Sequence, residues 1–358
     1  MAKYFILAFD GGGIRGYIST SVLQQLIEQT SVGDFLPQVQ LRAGTSTGSF
    51  IALALANSVG VDQIQSLYQQ GNAQTIFTPN PNISSAEVAA VKARLMACAA
   101  PLGDSWWQYF LEYLDYFVYT SYTNTGLSSV AQTTLGATTT LADLEPVVVN
   151  TLQLDQTSPS QAGWQPVMLS NVTGAYSSML AYEAGLCSGA APIYFPPFSP
   201  TTADLGYCAD GGLFANNPSM SAIVTALSLG YAPSDIYLLS FDTGTTTDAL
   251  PSSVINGWGG PLSMGPLEWL FPAVQGSNTP KFPLLSALTD ASSLSISYSA
   301  QAILGTNYMR VTVPLTTSVA LDDYSTAAYD TMNDALNAYY ASTGFTDVQT
   351  WLTTNFPT

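Results

Sequence analysis

Residues 3–9 (Lys3-Tyr4-Phe5-Ile6-Leu7-Ala8-Phe9) form an almost unbroken apolar run that stops at Asp10 and three glycines. A run of this length without polar alternation is the pattern of a parallel strand buried on both faces, entering a loop. From Ser19 to Gln29 the apolar residues Val22, Leu23 and Leu26 follow helical spacing. Val39–Ala43 predicts a second short strand, and Phe50–Ala56 is apolar all round, as a buried helix would be. Strand, loop, helix, strand, turn and helix in that order predict an α/β layered fold.

Further along, the pattern changes. Helix-like pieces at 62–71 and 85–98 lead into Trp106-Trp107-Gln108-Tyr109-Phe110 and an aromatic stretch reaching Tyr119. A helical, aromatic-rich insertion over about 74–135 is expected, its aromatic side chains serving either as a lipid-facing lid or as a helical core. Strands are expected at Pro166–Val172, Asp235–Phe241 and Asn307–Val313. Helices are expected at Pro218–Leu229, with Gly230 suited to its C-terminal cap, and at Asp322–Tyr340. Residues 243–280, rich in Gly, Pro and Ser, read as a long irregular excursion whose Trp258, Trp269 and Phe271 are candidates for an interfacial surface. Without repeats or an evident linker, one domain over 1–345 and a C-terminal tail over 346–358 are expected.

Composition removes several function classes. Only 9% of the 358 residues are charged, and 7 Lys plus Arg against 24 Asp plus Glu give a net charge of −17. Such a chain repels nucleic acid. The same charge weakens adsorption to anionic lipid. Peripheral membrane contact would therefore be apolar, or directed at neutral or zwitterionic lipids. Cys98, Cys187 and Cys208 build no disulfide scaffold; buried free thiols are expected rather than a Cys187–Cys208 bridge. No apolar run reaches the roughly 18 residues of a membrane span, and the first strand leaves no room for a cleavable signal peptide. A cytoplasmic location, or secretion without a cleavable signal, is the expectation.

The chain has no histidine. Ser–His–Asp and Cys–His catalysis and His-ligated metal sites are thereby excluded, and neither a metal nor a cofactor is expected.

Three motifs carry candidate chemistry. Gly44-Thr45-Ser46-Thr47-Gly48 matches G-x-S-x-G, in which a nucleophile sits on a sharp strand-to-helix turn that demands small neighbours. Asp10-Gly11-Gly12-Gly13-Ile14-Arg15-Gly16 offers backbone N–H groups to an anion, as an oxyanion hole or a phosphate site requires. One of only four arginines lies within it, where it could also fasten the loop through an ion pair. Through Gly11, Gly13 and Gly16 the same loop satisfies G-x-G-x-x-G, but a dinucleotide site also needs an acidic residue after the second strand. Arg42-Ala43-Gly44 stands there instead. The third motif is Asp210-Gly211-Gly212, continuing to Asn216-Asn217-Pro218 at a helix start.

In this order and combination the motifs resemble the patatin-like phospholipase family. Ser188-Gly189-Ala190-Ala191-Pro192, Tyr194-Phe195-Pro196 and Leu321-Asp322-Asp323 add to the likeness. The resemblance covers residues 4–57 and about 183–242, and the C-terminal part more loosely. It implies a three-layer α/β/α fold with a mainly parallel central sheet and a catalytic domain over 1–345. It also implies Ser46 as nucleophile on an elbow bounded by Gly44 and Gly48, and Asp210 as general base. Gly11, Gly12 and Gly13, with Arg15, would form or brace the oxyanion hole. The implied activity is acyl-ester hydrolysis of a lipid or lysolipid, of phospholipase A or lysophospholipase type. The alternatives are an acyltransferase using the same acyl-serine and a dinucleotide-binding protein. Asp242, at a strand end, is the rival base.

Overall fold

A computed structural model describes residues 3–84, 89, 119–155, 163–246, 249–257, 259–270, 280 and 282–356. Its centre is a seven-stranded sheet: β1 (Tyr4–Phe9), β2 (Leu41–Thr45), β3 (Val147–Gln153), β4 (Gln165–Ser170), β5 (Cys208–Asp210), β6 (Ile236–Phe241) and β7 (Tyr308–Val311). The order is β4-β3-β2-β1-β6-β7, with β5 also paired to β3. Pairings among β3, β2, β1, β6 and β7 are parallel, whereas β4 and β5 run antiparallel to β3.

The apolar run of β1 is used on both sides. Phe5, Leu7 and Phe9 face one helical layer, which includes α1 (Gly16–Gln29) and α2 (Thr47–Ala56) and further helices from later in the chain. After the short helices Val61–Ser66 and Gln70–Ile76 come α3 (Asn124–Leu135) and α4 (Ala181–Ser188), which belong to the same side. Tyr4, Ile6 and Ala8 face the opposite layer, formed by α5 (Ser219–Ser228) and α6 (Pro283–Leu304). Two short helices, Ser252–Gly257 and Pro266–Leu270, lie in the stretch expected as an irregular excursion, and Trp269 is partly exposed on the second. The chain closes with α7 (Thr326–Tyr340) and α8 (Thr343–Asn355), on the α1/α2 side. The architecture is the expected three-layer α/β/α fold.

Several expectations change. The supposed tail from 346 onward is the body of α8: Val348, Trp351 and Leu352 are buried, and Phe356 stacks on Phe5 with ring centroids 3.9 Å apart. Its few apolar residues are widely spaced among threonines, which hid the amphipathic pattern. Part of the supposed insertion belongs to the core, because α3 buries Leu127, Ala131 and Leu135. β3, β5 and α6 had not been expected. β5 is three residues long, too short for a periodicity, and α6 has serines on its inner face, with Ser293 buried, while Leu288, Leu294 and Tyr298 point outward. Trp106, Trp107, Tyr109, Phe110, Trp258 and Phe271 lie outside the described residues. Among the described residues no helix is long and apolar enough to cross a membrane, and no cluster of side chains fit to hold a metal ion occurs.

Burying an apolar side chain of this size stabilises a fold by about 1.5–3 kcal/mol, and domains are stable by only about 5–15 kcal/mol. Truncation after Phe345 removes four such groups and should leave a chain that does not fold. A truncated protein with the thermal unfolding midpoint of the full chain would contradict this placement of α8.

Candidate active site

β2 ends at Thr45, and α2 begins at Thr47, so the whole reversal falls on Ser46. Its backbone sits at φ 54°, ψ −125°, a region that costs a non-glycine residue of order 1–3 kcal/mol and recurs at functional sites. The flanking glycines are there for contact. A Cβ on Gly44 would lie 2.2 Å from the Gly48 carbonyl oxygen, and one on Gly48 would lie 2.0 Å from that of Phe9. Ser46 N–H donates to Ser188 Oγ at 2.8 Å, and Ser46 O accepts from Ser49 Oγ at 2.6 Å. The turn is thus held from both sides.

Sheet register brings in Asp210. Thr45 is paired with Asn150 across β2 and β3, and the next residue of β3, Thr151, is paired with Asp210. Residues 164 positions apart (210 − 46) therefore meet over one strand. Asp210 N–H donates to Ala190 O at 2.9 Å, tying the base to the Ser188–Pro192 segment. The Asp210 carboxylate accepts from Gly212 N–H at 2.7 Å and lines the same cleft as Ser46. Burial pushes its pKa up to about 6, against the downward pull of the Ser46 side chain and the Gly212 amide.

The glycine loop follows β1 directly. Asp10 is buried and forked onto Arg310, whose two terminal nitrogens reach its carboxylate oxygens at 2.8 and 2.5 Å. Burial raises the Asp10 pKa to about 6 and Arg310 opposes that, while the acidic neighbours hold the Arg310 pKa up. This ion pair fastens the loop, a task that Arg15 could have served. Arg15 instead lines the cleft and donates from Nε to Gly12 O at 3.4 Å.

The three glycines have different surroundings. Gly11 N–H donates to Asn216 O at 3.1 Å, so that amide is already committed. Gly11 is thereby corrected from an oxyanion donor to a close-contact position: a Cβ there would fall 2.3 Å from Asn216 Oδ1 and 3.0 Å from Ser46 Cβ. The amides of Gly12 and Gly13 have no acceptor among the described residues, and both residues line the cleft. Gly13 adopts φ +58°, and a Cβ on it would meet Leu321 O at 2.2 Å. The Leu321 carbonyl accepts Ile14 N–H at 2.8 Å, closing the loop from the C-terminal side.

Ser46, Asp210, Gly12, Gly13 and Arg15 line one cleft, which contains about 1160 Å³ of atom-free space, part of it open solvent. Phe50, Ile76, Phe77, Leu127, Val130 and Leu135 form an apolar wall, and among the described residues Arg15 and Asp210 are the only lining ones with a formal charge. Asp242, the rival base, is not part of the lining. It is buried, and its oxygens accept from Gly244 N–H, Thr245 Oγ1 and Val313 N–H at 3.0, 2.8 and 3.3 Å. Its work is to close the β6–β7 end. The dinucleotide reading fails on the same geometry, since β2 ends at the Ser46 turn without a carboxylate for a ribose.

Three contributors were not assigned by sequence. Ser188 stood within a quoted motif and carried no role. Asn216, also within a motif, donates from Nδ2 to Gly11 O at 3.3 Å and to Ser293 Oγ at 3.1 Å. Arg310 lay inside an expected strand, and its rarity as one of four arginines was the available signal.

A Cβ on Gly12 would come within 2.0 Å of Thr243 Oγ1, which donates to Gly11 O at 3.0 Å. Gly12→Ala should therefore displace the loop and lower kcat by the 10²–10³-fold typical of a lost oxyanion donor, with secondary structure retained by circular dichroism. Wild-type turnover in a folded Gly12→Ala protein would remove the loop from the chemistry.

The chain is 26% identical over 323 residues to Protein teg of Priestia megaterium, covering 87% of this chain and 88% of that relative. It is 24% identical over 269 residues to a cGAMP-activated phospholipase of Escherichia coli, covering 70% of this chain and 65% of that one. A solved structure of human GIVD cytosolic phospholipase A2 superposes with a TM-score of 0.41 at 12% identity, covering 99% of this chain and 62% of that one. The patatin-like phospholipase domain model matches residues 7–223, and the chain belongs to that family.

Proposed function

We propose that the protein is a lipid acyl hydrolase of phospholipase A or lysophospholipase type, working through a Ser46–Asp210 dyad. The observation that carries this reading is that Ser46, on its strained turn, and the buried Asp210 carboxylate line the same mainly apolar cleft, where the Ser46 side chain draws the Asp210 pKa down. Family membership and the phospholipase named among its relatives support the same substrate class.

The acyl chain of the ester lies along the apolar wall, which places its carbonyl over Ser46. Ser46 Oγ attacks that carbon while Asp210 takes the hydroxyl proton. The carbonyl oxygen becomes an oxyanion that accepts from the Gly12 and Gly13 amides, with Arg15 adding positive charge nearby. Collapse breaks the ester bond, and Asp210 returns its proton to the leaving alkoxide. Water then attacks the acyl-serine and gives a proton to Asp210; the acyl–Oγ bond breaks, Asp210 passes that proton to Ser46 Oγ, and the fatty acid leaves. A carboxylate near its ordinary pKa of about 3.9 is a weak base toward serine; raising it toward the working pH improves proton transfer.

Release of fatty acid from mixed phosphatidylcholine and lysophosphatidylcholine should fall by at least about 10³-fold in Ser46→Ala, in line with losses seen when a hydrolase nucleophile is removed. Labelling by a fluorophosphonate probe should disappear with it. Undiminished release by this variant would sink the assignment.

Asp210 acts only when ionised, which holds above its pKa. The kcat/KM profile should be level at higher pH and fall as pH drops through about 6. A profile unchanged between pH 5 and 8, or an inactive Asp242→Asn beside an active Asp210→Asn, would assign the base elsewhere.

A further inference from the structure

Two thiols lie directly behind the dyad. Cys187 is in the last turn of α4, next to Ser188, whose hydroxyl holds the Ser46 amide. Cys208 opens β5, two residues before Asp210. Both are free and fully buried, and each sulfur is close enough to shift the pKa of the other. Thr151 Oγ1 lies 2.9 Å from both Cys187 O and Ala209 O, so the same β3 residue that sets the Asp210 register also ties α4 to β5. The mechanism above uses neither sulfur.

We propose that Cys187 and Cys208 are a redox modification site, joined by peroxide into a disulfide that disables the adjacent Ser46–Asp210 pair. The loss of activity rests on the dyad reading above; the formation of the bond does not.

The pair is polarised for this chemistry. The neighbouring Cys187 and Thr151 side chains hold the Cys208 pKa down, while burial and the neighbouring sulfur hold that of Cys187 up. Cys208 is thus the attacking sulfur and Cys187 the resolving one. The Cys208 thiolate attacks one oxygen of hydrogen peroxide; the O–O bond breaks, and hydroxide leaves as water after taking a proton. Cys208 is then a sulfenic acid. Cys187 loses its proton, and its sulfur attacks that of Cys208; the S–O bond breaks, and a second water leaves. Two thiols and one peroxide give one disulfide and two waters. A small neutral oxidant is required because both sulfurs are buried, and its entry follows local opening around β5.

Covalent joining must draw the two free sulfurs to bonding distance. α4 and β5 can comply only by carrying Ser188 or Asp210 with them. A displacement of about 1 Å at a catalytic group can cost on the order of 10²-fold in rate.

The test uses the full chain with Cys98→Ala, which leaves Cys187 and Cys208 as its two cysteines. After peroxide, the protein is denatured, alkylated and weighed intact. The expected result is a species two hydrogens lighter that takes up no alkyl group, with ester hydrolysis reduced more than tenfold and restored by dithiothreitol. Adding Cys187→Ala or Cys208→Ala should keep basal activity, abolish the linked species and prevent the reversible loss. Two alkylatable thiols after peroxide, or a gain of oxygen instead of a loss of hydrogen, would overturn the site. A linked species with full activity would overturn its coupling to the dyad. If the reduced protein proves inactive on every ester, the mass measurement still decides whether the bond forms.

Discussion

The Arg310 fork on Asp10 is the contact on which the site's geometry depends. A carboxylate and a guanidinium buried at the end of β1 are costly to desolvate, and their attraction compensates only when the geometry is good and the remaining donors find partners. Here the fork is bidentate, and Arg310 also donates to Ser240 Oγ at 2.6 Å. Three neighbouring strands, β1, β6 and β7, are thereby fixed at one level. The glycine loop begins at the next residue, so the positions of the Gly12 and Gly13 amides derive from this pair. The rigidity an oxyanion hole needs is obtained from an ion pair behind the loop, leaving Arg15 at its mouth.

From that fixed end, the rest follows by close approach. Gly48 packs on the Phe9 carbonyl and Gly44 on Gly48, which locks the Ser46 elbow against β1. Asn216 accepts the Gly11 amide through its carbonyl and returns a hydrogen bond from its side chain to Gly11 O. The Asp210–Pro218 segment is therefore latched to the same loop. The proposed nucleophile, base and anion donors come from three separate stretches of chain, yet all are indexed to the C-terminal end of β1. This is also where the sheet order reverses, with β2 and β3 on one side and β6 and β7 on the other, the position at which open α/β sheets form ligand crevices.

What could be read in the sequence divides along the same physical lines. β1, α2 and the elbow were legible because burial on both faces leaves a continuous apolar run, and a sharp turn leaves small residues. Asp210 was legible through its two following glycines; Gly211 indeed passes so close over β3 that a Cβ would lie 2.3 Å from Asn150 O. α6 was not legible, since its inner face meets polar neighbours: Ser293 and Ser297 bond Asn216 and Asn217. An inward polar face and an outward apolar one invert the pattern from which helices are recognised. α8 was missed for its dilute apolar spacing. The commitment of the Gly11 amide could not be foreseen, because consecutive glycines look alike until their acceptors are placed.

The absence of histidine acquires a physical meaning in this cleft. An imidazole would titrate near neutral pH without help, whereas an aspartate must be moved there. The fold moves it by burying Asp210 beside the apolar cleft wall, and the Ser46 side chain and the Gly212 amide do not offset the desolvation. The same scarcity of polar groups makes the cleft wall suited to a hydrocarbon chain. In the proposed function, base strength and substrate class share one cause, the dryness of the site. A neutral substitution that wetted the wall, such as Leu127→Asn, would be expected to weaken chain binding and lower the Asp210 pKa together. The two properties are coupled through the solvent that the cleft excludes.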